Sequence, residues 1–425
     1  MTRTLRSFRL TCPAGRVPLA EALLRAQGFD FEPEPFFDRA RRLTREPFAL
    51  GESLASRFGH IYIQDRSSML PPLALNPEPG AAVLDMCSAP GSKTGLLAGL
   101  VGPEGFVLGA EPSADRIGTL RANLRRTGCV NTATAKGEAQ SLPLPDGRWA
   151  YIQLDPPCSG WGTAEKNPRV MELWDESRTG PLVALQKTLL ARAADLLAPG
   201  GVVLYSTCTT HVEENEAQVA WALKALDLEL EPLPAPPGFT FADPLLPGMA
   251  GVLRVAEESD GQGFFLARFR KRGEPCAPVE RTAQTASLPG QRIDPRRLAG
   301  CEGLAWDRLP PGEVHDFGGK AYFLHREALS RIPEGMRWQG YGLGRVAGKG
   351  DRETFRPDGQ ARVLIPEPGR GADVLVVEDV AVLERLLSGQ SLDFRPGEGP
   401  VGLTFRGLPL AWLSRKGRRL VLSVK

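Results

Sequence analysis

Leu84-Asp85-Met86-Cys87-Ser88-Ala89-Pro90-Gly91-Ser92-Lys93-Thr94 is the stretch on which the fold turns. A strand end runs into a tight turn of small residues and then into a helix start at Ser92. Small residues let a ligand approach the backbone, and a helix amino terminus favours an acidic or polar ligand group. The GxxxxGK[ST] spacing of a phosphate loop is absent, and so is the dinucleotide fingerprint GxGxxG. A ligand carrying a carboxylate and a ribose fits this turn better than one carrying a pyrophosphate.

Outward from the loop, strands and helices alternate. Gly105 to Ala110 reads as a second strand and Ala114 to Arg126 as a second helix, closed at Thr127-Gly128. Tyr151 to Leu154 and Gly201 to Tyr205 read as strands, Leu182 to Leu197 and Glu213 to Leu226 as helices. This order predicts an α/β fold with a doubly wound, mostly parallel sheet. Gly263 to Phe269 reads as a late antiparallel addition. Glu111 ends the second strand, where an acid can accept both ribose hydroxyls. Arg116 follows, either closing over a cofactor or simply solvated. Glu138, past the third strand region, is a candidate adenine contact or a plain surface acid. S-adenosylmethionine satisfies all of these demands.

Two thiols fall at strand ends, where open α/β sheets hold their ligands. Cys158 lies in Asp155-Pro156-Pro157-Cys158-Ser159-Gly160 and Cys208 in Ser206-Thr207-Cys208-Thr209-Thr210. A pair of thiols beside a small-residue loop points to covalent chemistry on a bound substrate.

At 425 residues, two or three domains are expected. The apolar share of 42% and charged share of 24% are those of a soluble globular protein. No apolar run approaches the roughly 20 residues that span a bilayer, so no membrane partner is expected. Met1 to Thr11 carries three arginines without an apolar core or cleavage site, so no secretory signal is expected either. A net charge of +2 excludes a strongly basic, tail-type nucleic-acid binder. Arginine makes up 42 of the 52 basic residues; its planar fork suits phosphate and base recognition, although a GC-rich or thermophilic composition gives the same bias. The seven cysteines form no CxxC pair, which fits reduced thiols in a cytoplasm. With four scattered histidines, no metal is expected. Cys12, Cys129, Cys276 and Cys301 read as inert, and Cys87 as packing.

Residues 1–60 read as a separate amino-terminal subdomain, with a helix at Leu19 to Ala26 and an arginine-rich stretch (Arg39, Arg41, Arg42, Arg45). That pattern suggests a small helical appendage with a basic face, or an ordinary solvated surface. Residues 61–272 form the predicted catalytic domain, and 273–290, with few large apolar residues, a linker. Residues 291–425 read as short strands broken by glycines, with one helix near Val380 to Leu387, as in a small α+β or β-barrel module.

Taken together, these motifs resemble the Sun-type RNA cytosine-C5 methyltransferases, a group that includes bacterial small-subunit rRNA enzymes. The match is carried by Tyr62-Ile63-Gln64-Asp65-Arg66-Ser67-Ser68-Met69, Leu84 to Thr94, Asp155 to Gly160, Lys166-Asn167-Pro168, Ser206 to Cys208 and Glu213-Glu214-Asn215-Glu216. A DPPCSG paired with an STC at this spacing is specific; DNA cytosine methyltransferases use the earlier proline-cysteine position and lack the second cysteine. Gly407-Leu408-Pro409-Leu410-Ala411-Trp412, followed by Arg415, Lys416, Arg418 and Arg419, resembles the terminal PUA-like module of the rRNA branch. Three departures stand out: Met86-Cys87-Ser88 in the loop, Glu138 where aspartate is common, and Pro112 after Glu111.

The resemblance implies a Rossmann-like class I methyltransferase fold with S-adenosylmethionine as cofactor. It places Cys87, Ser88, Ala89, Pro90, Gly91, Lys93, Glu111, Arg116, Glu138 and Asp155 around that cofactor, Lys93 either bonding it or orienting the catalytic loop. It also implies that Cys208 adds to carbon 6 of cytosine, that Asp155 bonds N3 and the exocyclic amine, and that Cys158 assists elimination. Lys166 and Asn167 would contact the target nucleotide. Trp161, Trp174 and Trp221 are candidate stacking residues, Trp221 reading better as core, and His211 as a loop residue without a role. The expected partner of this monomeric, cytoplasmic enzyme is 16S rRNA or the small ribosomal subunit. The alternatives are the same chemistry on tRNA and an RNA-binding assembly factor with a degenerate methyltransferase fold.

Overall fold

The computed structural model describes residues 6–164, 170–173, 176–256, 259, 261–274, 290–348 and 353–422. The central strand, Ala82–Asp85, is buried along its whole length, as expected of a parallel strand covered on both faces. It lies between Phe106–Glu111 and Trp149–Leu154, with Thr132–Lys136 outside the one and Leu197–Thr207 outside the other, all parallel. The chain therefore runs outward in one direction and then restarts on the other side. This puts a topological switch point between Ala82–Asp85 and Trp149–Leu154, where ligands bind outside the carboxyl ends of the strands. Phe264–Lys271 adds antiparallel to Leu197–Thr207, as its sequence suggested.

Alternation along these strands divides the core. Leu84, Leu108, Ile152, Val203 and Tyr205 pack on one face with Leu189 and Leu190 of the helix Glu176–Leu196. Val83, Val107, Val202 and Leu204 pack on the other with Leu70 and Leu97. Among the described residues no helix is long and apolar enough to cross a membrane.

The amino-terminal segment differs from the helical appendage expected. It is a four-stranded antiparallel sheet in the order Asp30–Pro33, Ala40–Arg45, Ser7–Leu10, Ile61–Ile63, with helices at Val17–Ala26 and Leu54–Arg57. The arginine-rich stretch forms a strand because Ala40 and Leu43 supply its buried side. Its cations are also neutralised across the sheet. Arg45 stands opposite Asp30 and Arg42 opposite Glu32, while Arg41 pairs with Glu21 of the helix at 2.8 Å.

The carboxyl-terminal region holds two five-stranded sheets. The first runs Gln291–Ile293, Gly312–Asp316, Lys320–His325, Tyr341–Ala347, Thr354–Pro357. The second contains Val374–Val377, Val401–Phe405, Leu408–Lys416, Arg419–Leu422 and Leu392–Asp393, with the helix Val380–Leu387. Between the strands of the first sheet, Trp338–Gln339 leaves to extend the catalytic sheet beside Thr132–Lys136.

The two ends of the chain share one core. Phe8, Leu10, Leu23 and Phe29 pack in a single cluster with Leu383, Leu403, Phe405 and Leu410. Arg362 ties this assembly to the catalytic domain by donating to the carbonyls of Phe58, Gly59, Arg126 and Thr127 at 2.5–2.9 Å. Gly59 permits that approach: it has φ +68°, and a Cβ there would sit 1.9 Å from the Arg126 carbonyl oxygen.

Candidate active site

The small-residue loop is fixed by its own polar groups. Thr94 Oγ1 donates to Asp85 Oδ2 at 2.6 Å, and Ser88 Oγ donates to the Ala110 carbonyl at 2.7 Å. Gly91, at φ +102°, caps the helix Ser92–Val101, and a Cβ there would press on Leu120 Cδ1 at 3.0 Å. Burial pushes the Asp85 carboxyl up to about 6, and its Oδ1 is buried without a partner. An orphaned acceptor beside a loop of small residues fits a ligand that brings a donor to the strand end.

Glu111 is also buried. Its Oε1 accepts the Ser113 N–H at 2.9 Å, and its Oε2 lies 3.5 Å from Arg116. Arg116 in turn donates to the Ala89 carbonyl at 3.0 Å and so links the loop to Glu111. The structure thus brings together the loop, Glu111 and Arg116 at one sheet edge. Glu138 stands next to Gly137, whose N–H donates to the Glu111 carbonyl at 3.2 Å. Its own side chain is exposed and accepts from Gln140 at 3.0 Å. Cys87 packs against the core, and burial holds its thiol well above the ordinary range.

Across the switch point, Lys93 Nζ donates to Asp155 Oδ2 at 2.7 Å and lies 5.2 Å from the Phe264 ring centroid. Burial opposes the lysine's charge, but Asp155 outweighs it and raises the pKa. Ser206 Oγ donates to the other oxygen, Asp155 Oδ1, at 2.8 Å. The sulfurs of Cys158 and Cys208 are 3.4 Å apart. Their proton affinities move in opposite directions. The hydrogen bond to Cys208, with burial, drives the Cys158 thiol well above its usual value. The same bond lowers Cys208, against burial and with help from Lys93. The pair therefore favours the proton on Cys158 and the negative charge on Cys208.

Under the thiols lies a buried polar cluster. Ser159 gives its N–H to Glu214 Oε2 at 3.0 Å and its hydroxyl to Glu214 Oε1, while its Oγ accepts from the Thr209 hydroxyl at 2.7 Å. Gln186 donates to Glu214 at 2.8 Å and to the Pro157 carbonyl at 2.9 Å. The Tyr205 hydroxyl donates to the Glu214 carbonyl at 2.6 Å. Sequence reasoning assigned Ser159, Gln186 and Glu214 no role. The signals available were the family-like stretches that contain Ser159 and Glu214, and a polar Gln186 within an amphipathic helix.

Gly162 gives its N–H to the Cys208 carbonyl at 3.0 Å, joining the two cysteine loops. Trp161 and His211 flank them as an edge-to-face pair 5.0 Å apart. Trp221 is half-buried against the main core. Lys166, Asn167 and Trp174 lie outside the described residues, as does Cys276.

Residues 72–270 match the family described as 16S rRNA methyltransferase RsmB/F. Across 418 residues the chain is 31% identical to ribosomal RNA small subunit methyltransferase F of Klebsiella pneumoniae, covering 94% of this chain and 85% of the relative. The chain belongs to the RsmB/F family. Ribosomal RNA small subunit methyltransferase F of Salmonella typhi is 34% identical to this RsmB/F chain over 346 residues, 75% of this chain and 72% of that one. A crystal structure of a methyltransferase homolog from Pyrococcus horikoshii is 33% identical, with a TM-score of 0.55 over 63% of this chain and 86% of that one. RsmB/F membership makes this an S-adenosylmethionine-dependent methyltransferase of Rossmann-like fold, and the loop with Asp85 and Glu111 fits that cofactor.

Proposed function

We propose that this enzyme methylates carbon 5 of cytosine in small-subunit ribosomal RNA through a transient bond between Cys208 and carbon 6. The observation that carries the reading is the thiol pair at 3.4 Å, one sulfur lowered and one raised, beside the Lys93–Asp155 pair. Bound S-adenosylmethionine supplies the electrophilic methyl group. Carbon 5 of cytosine is a poor nucleophile until a thiolate adds at carbon 6. Cys208 forms that bond, and the electron pair of the carbon 5–carbon 6 double bond moves into the ring. Asp155, paired with Lys93, accepts from the exocyclic amine and fixes the ring's orientation.

Once carbon 5 carries its new substituent, its proton passes to solvent water, the double bond re-forms and the Cys208 sulfur departs with the electron pair of its bond to carbon 6. Cys158 assists this last step: its thiol, 3.4 Å away, donates to the departing sulfur and stabilises it as a thiolate. The target base has to leave its stack to reach Cys208, so single-stranded or locally opened RNA is the substrate form. We place this reaction in the cytoplasm, on a monomeric enzyme. Homology to small subunit methyltransferase F over most of the chain supports 16S rRNA as the target.

Incubation with methyl-labelled cofactor and 16S rRNA or small subunits, read out by bisulfite sequencing, tests the proposal. One or more protected cytosines are expected. Label on tRNA alone would reassign the substrate. Cofactor binding without transfer to any RNA would favour an assembly factor.

A further inference from the structure

Three exposed cations stand in one row across the first carboxyl-terminal sheet. Lys320 lies directly opposite Arg345 on the neighbouring strand, and Arg345 lies directly opposite Arg356 on the next. Residues paired in this way project from the same face about 5 Å apart, and like charges so placed destabilise a sheet. Among the described residues none of the three has an acidic partner. Of the acids on the adjoining turns, Asp316 accepts the Gly319 N–H at 2.7 Å and Asp358 lies 3.7 Å from Arg125. The amino-terminal sheet resolves the same problem differently, since its strand arginines face Asp30 and Glu32.

The row opens into a cleft. Lys320, Tyr322 and Arg345 line it from the sheet, while Arg121 and Arg125 line it from the helix Ala114–Thr127, with Asp358 as the acid among them. The adjoining strand Thr132–Lys136 is four positions from the strand that carries Cys208, roughly 19 Å in the plane of the sheet. Strand spacing sets the length of the row at about 10 Å. A nucleic-acid strand carries one phosphate per nucleotide, so three cations in such a row can meet up to about three phosphates.

We propose that Lys320, Arg345 and Arg356, with the cleft beside them, grip the phosphate backbone of the RNA substrate at a distance from the reacting base. The proposal rests on the RNA methyltransferase reading above for the identity of the polyanion. The repulsion stored in the row is relieved when phosphates lie between the cations, which gives the row a binding purpose where a stabilising one is absent.

The test compares the full-length protein with a K320Q/R345Q/R356Q variant for binding to labelled 16S rRNA fragments and to poly(U). Binding is measured as a function of salt, and methylation at saturating RNA. The slope of log affinity against log salt is expected to fall by about 2 to 3 in the variant. Between about 50 and 200 mM salt, that is a roughly 16- to 64-fold difference in how far affinity drops. The unfolding temperature should match or exceed the parent's, the RNA concentration for half-maximal rate should rise, and the saturated rate should stay unchanged. A matched R41Q/R42Q/R45Q variant should keep the parent's slope.

A second variant, R345E, places an acid between two cations; it should raise stability while weakening RNA binding. Identical salt slopes for parent and triple variant would overturn the proposal. So would R345E binding RNA as tightly as the parent, or parent binding to phosphatidylserine vesicles that is tighter than to RNA and depends on the same three residues. A parent that binds RNA with the expected difference in slope yet methylates none would leave the row standing and remove the methyltransferase reading.

Discussion

The loops that carry Cys158 and Cys208 are neighbours built alike, yet they make opposite uses of the same side chain. Each follows a buried parallel strand, and the two strands are adjacent. The Cys158 loop begins Pro156-Pro157, two residues without an N–H to offer an anion, and Glu214 adds its negative charge from below. On the Cys208 side the nearby charges include Lys93, whose cation favours the thiolate. Position in the fold brings the two sulfurs together, and the hydrogen bond between them, with the burial and charge around each, raises one proton affinity and lowers the other. Cysteine at a strand end is therefore not a role in itself.

The most severe test of this asymmetry is Cys208→Ala. Methylation is expected to fall at least about 10³-fold, as when other covalent nucleophiles are removed, with no protein–RNA adduct on a denaturing gel. Cys158→Ala should behave differently: product release slows and a covalent band accumulates, while Cys158→Ser, which keeps a donor, restores part of the release. A Cys158→Ala enzyme that turns over normally would mean that the asymmetry has no use.

The pH profile sharpens the same contrast. Adduct formation needs the Cys208 thiolate, so its rate rises with pH through the Cys208 pKa. Because that pKa is lowered, the wild-type midpoint should fall below the ordinary cysteine value of about 8.5. Removing the Cys158 hydrogen bond should move the midpoint upward in a single-turnover measurement. The smallest effect is expected from Glu214→Gln. It weakens buried hydrogen bonds to Ser159 and Gln186 and should cost about 1–3 kcal/mol in urea unfolding, while easing the Cys158 thiol back toward its ordinary value.

The catalytic strands, the cofactor loop and both cysteines were legible because each is written in a contiguous stretch. Leu84 to Thr94 and Asp155 to Gly160 carry their own turn chemistry and need little help from the rest of the chain. The amino-terminal sheet was not legible. Its arginine strand looks like a solvated helical face until Asp30 and Glu32 are brought alongside, and that pairing is a matter of register. Trp338–Gln339 joining the catalytic sheet was equally hidden, since two residues carry no periodicity. The cluster under the thiols joins Ser159 to Glu214 across 55 positions and Gln186 to Glu214 across 28. Each member alone reads as an ordinary polar residue.

The shared core of the two chain ends has a consequence for the order of events at synthesis. Phe8, Leu10 and Leu23 are made well before the partners that cover them, Leu403, Phe405 and Leu410. At about 5–20 residues per second, the early strands wait on the order of 20 to 80 s before their cover exists. During that interval the amino-terminal sheet has an open apolar side. It closes only when the last sheet arrives, so a chain that is cut short leaves its beginning unfinished.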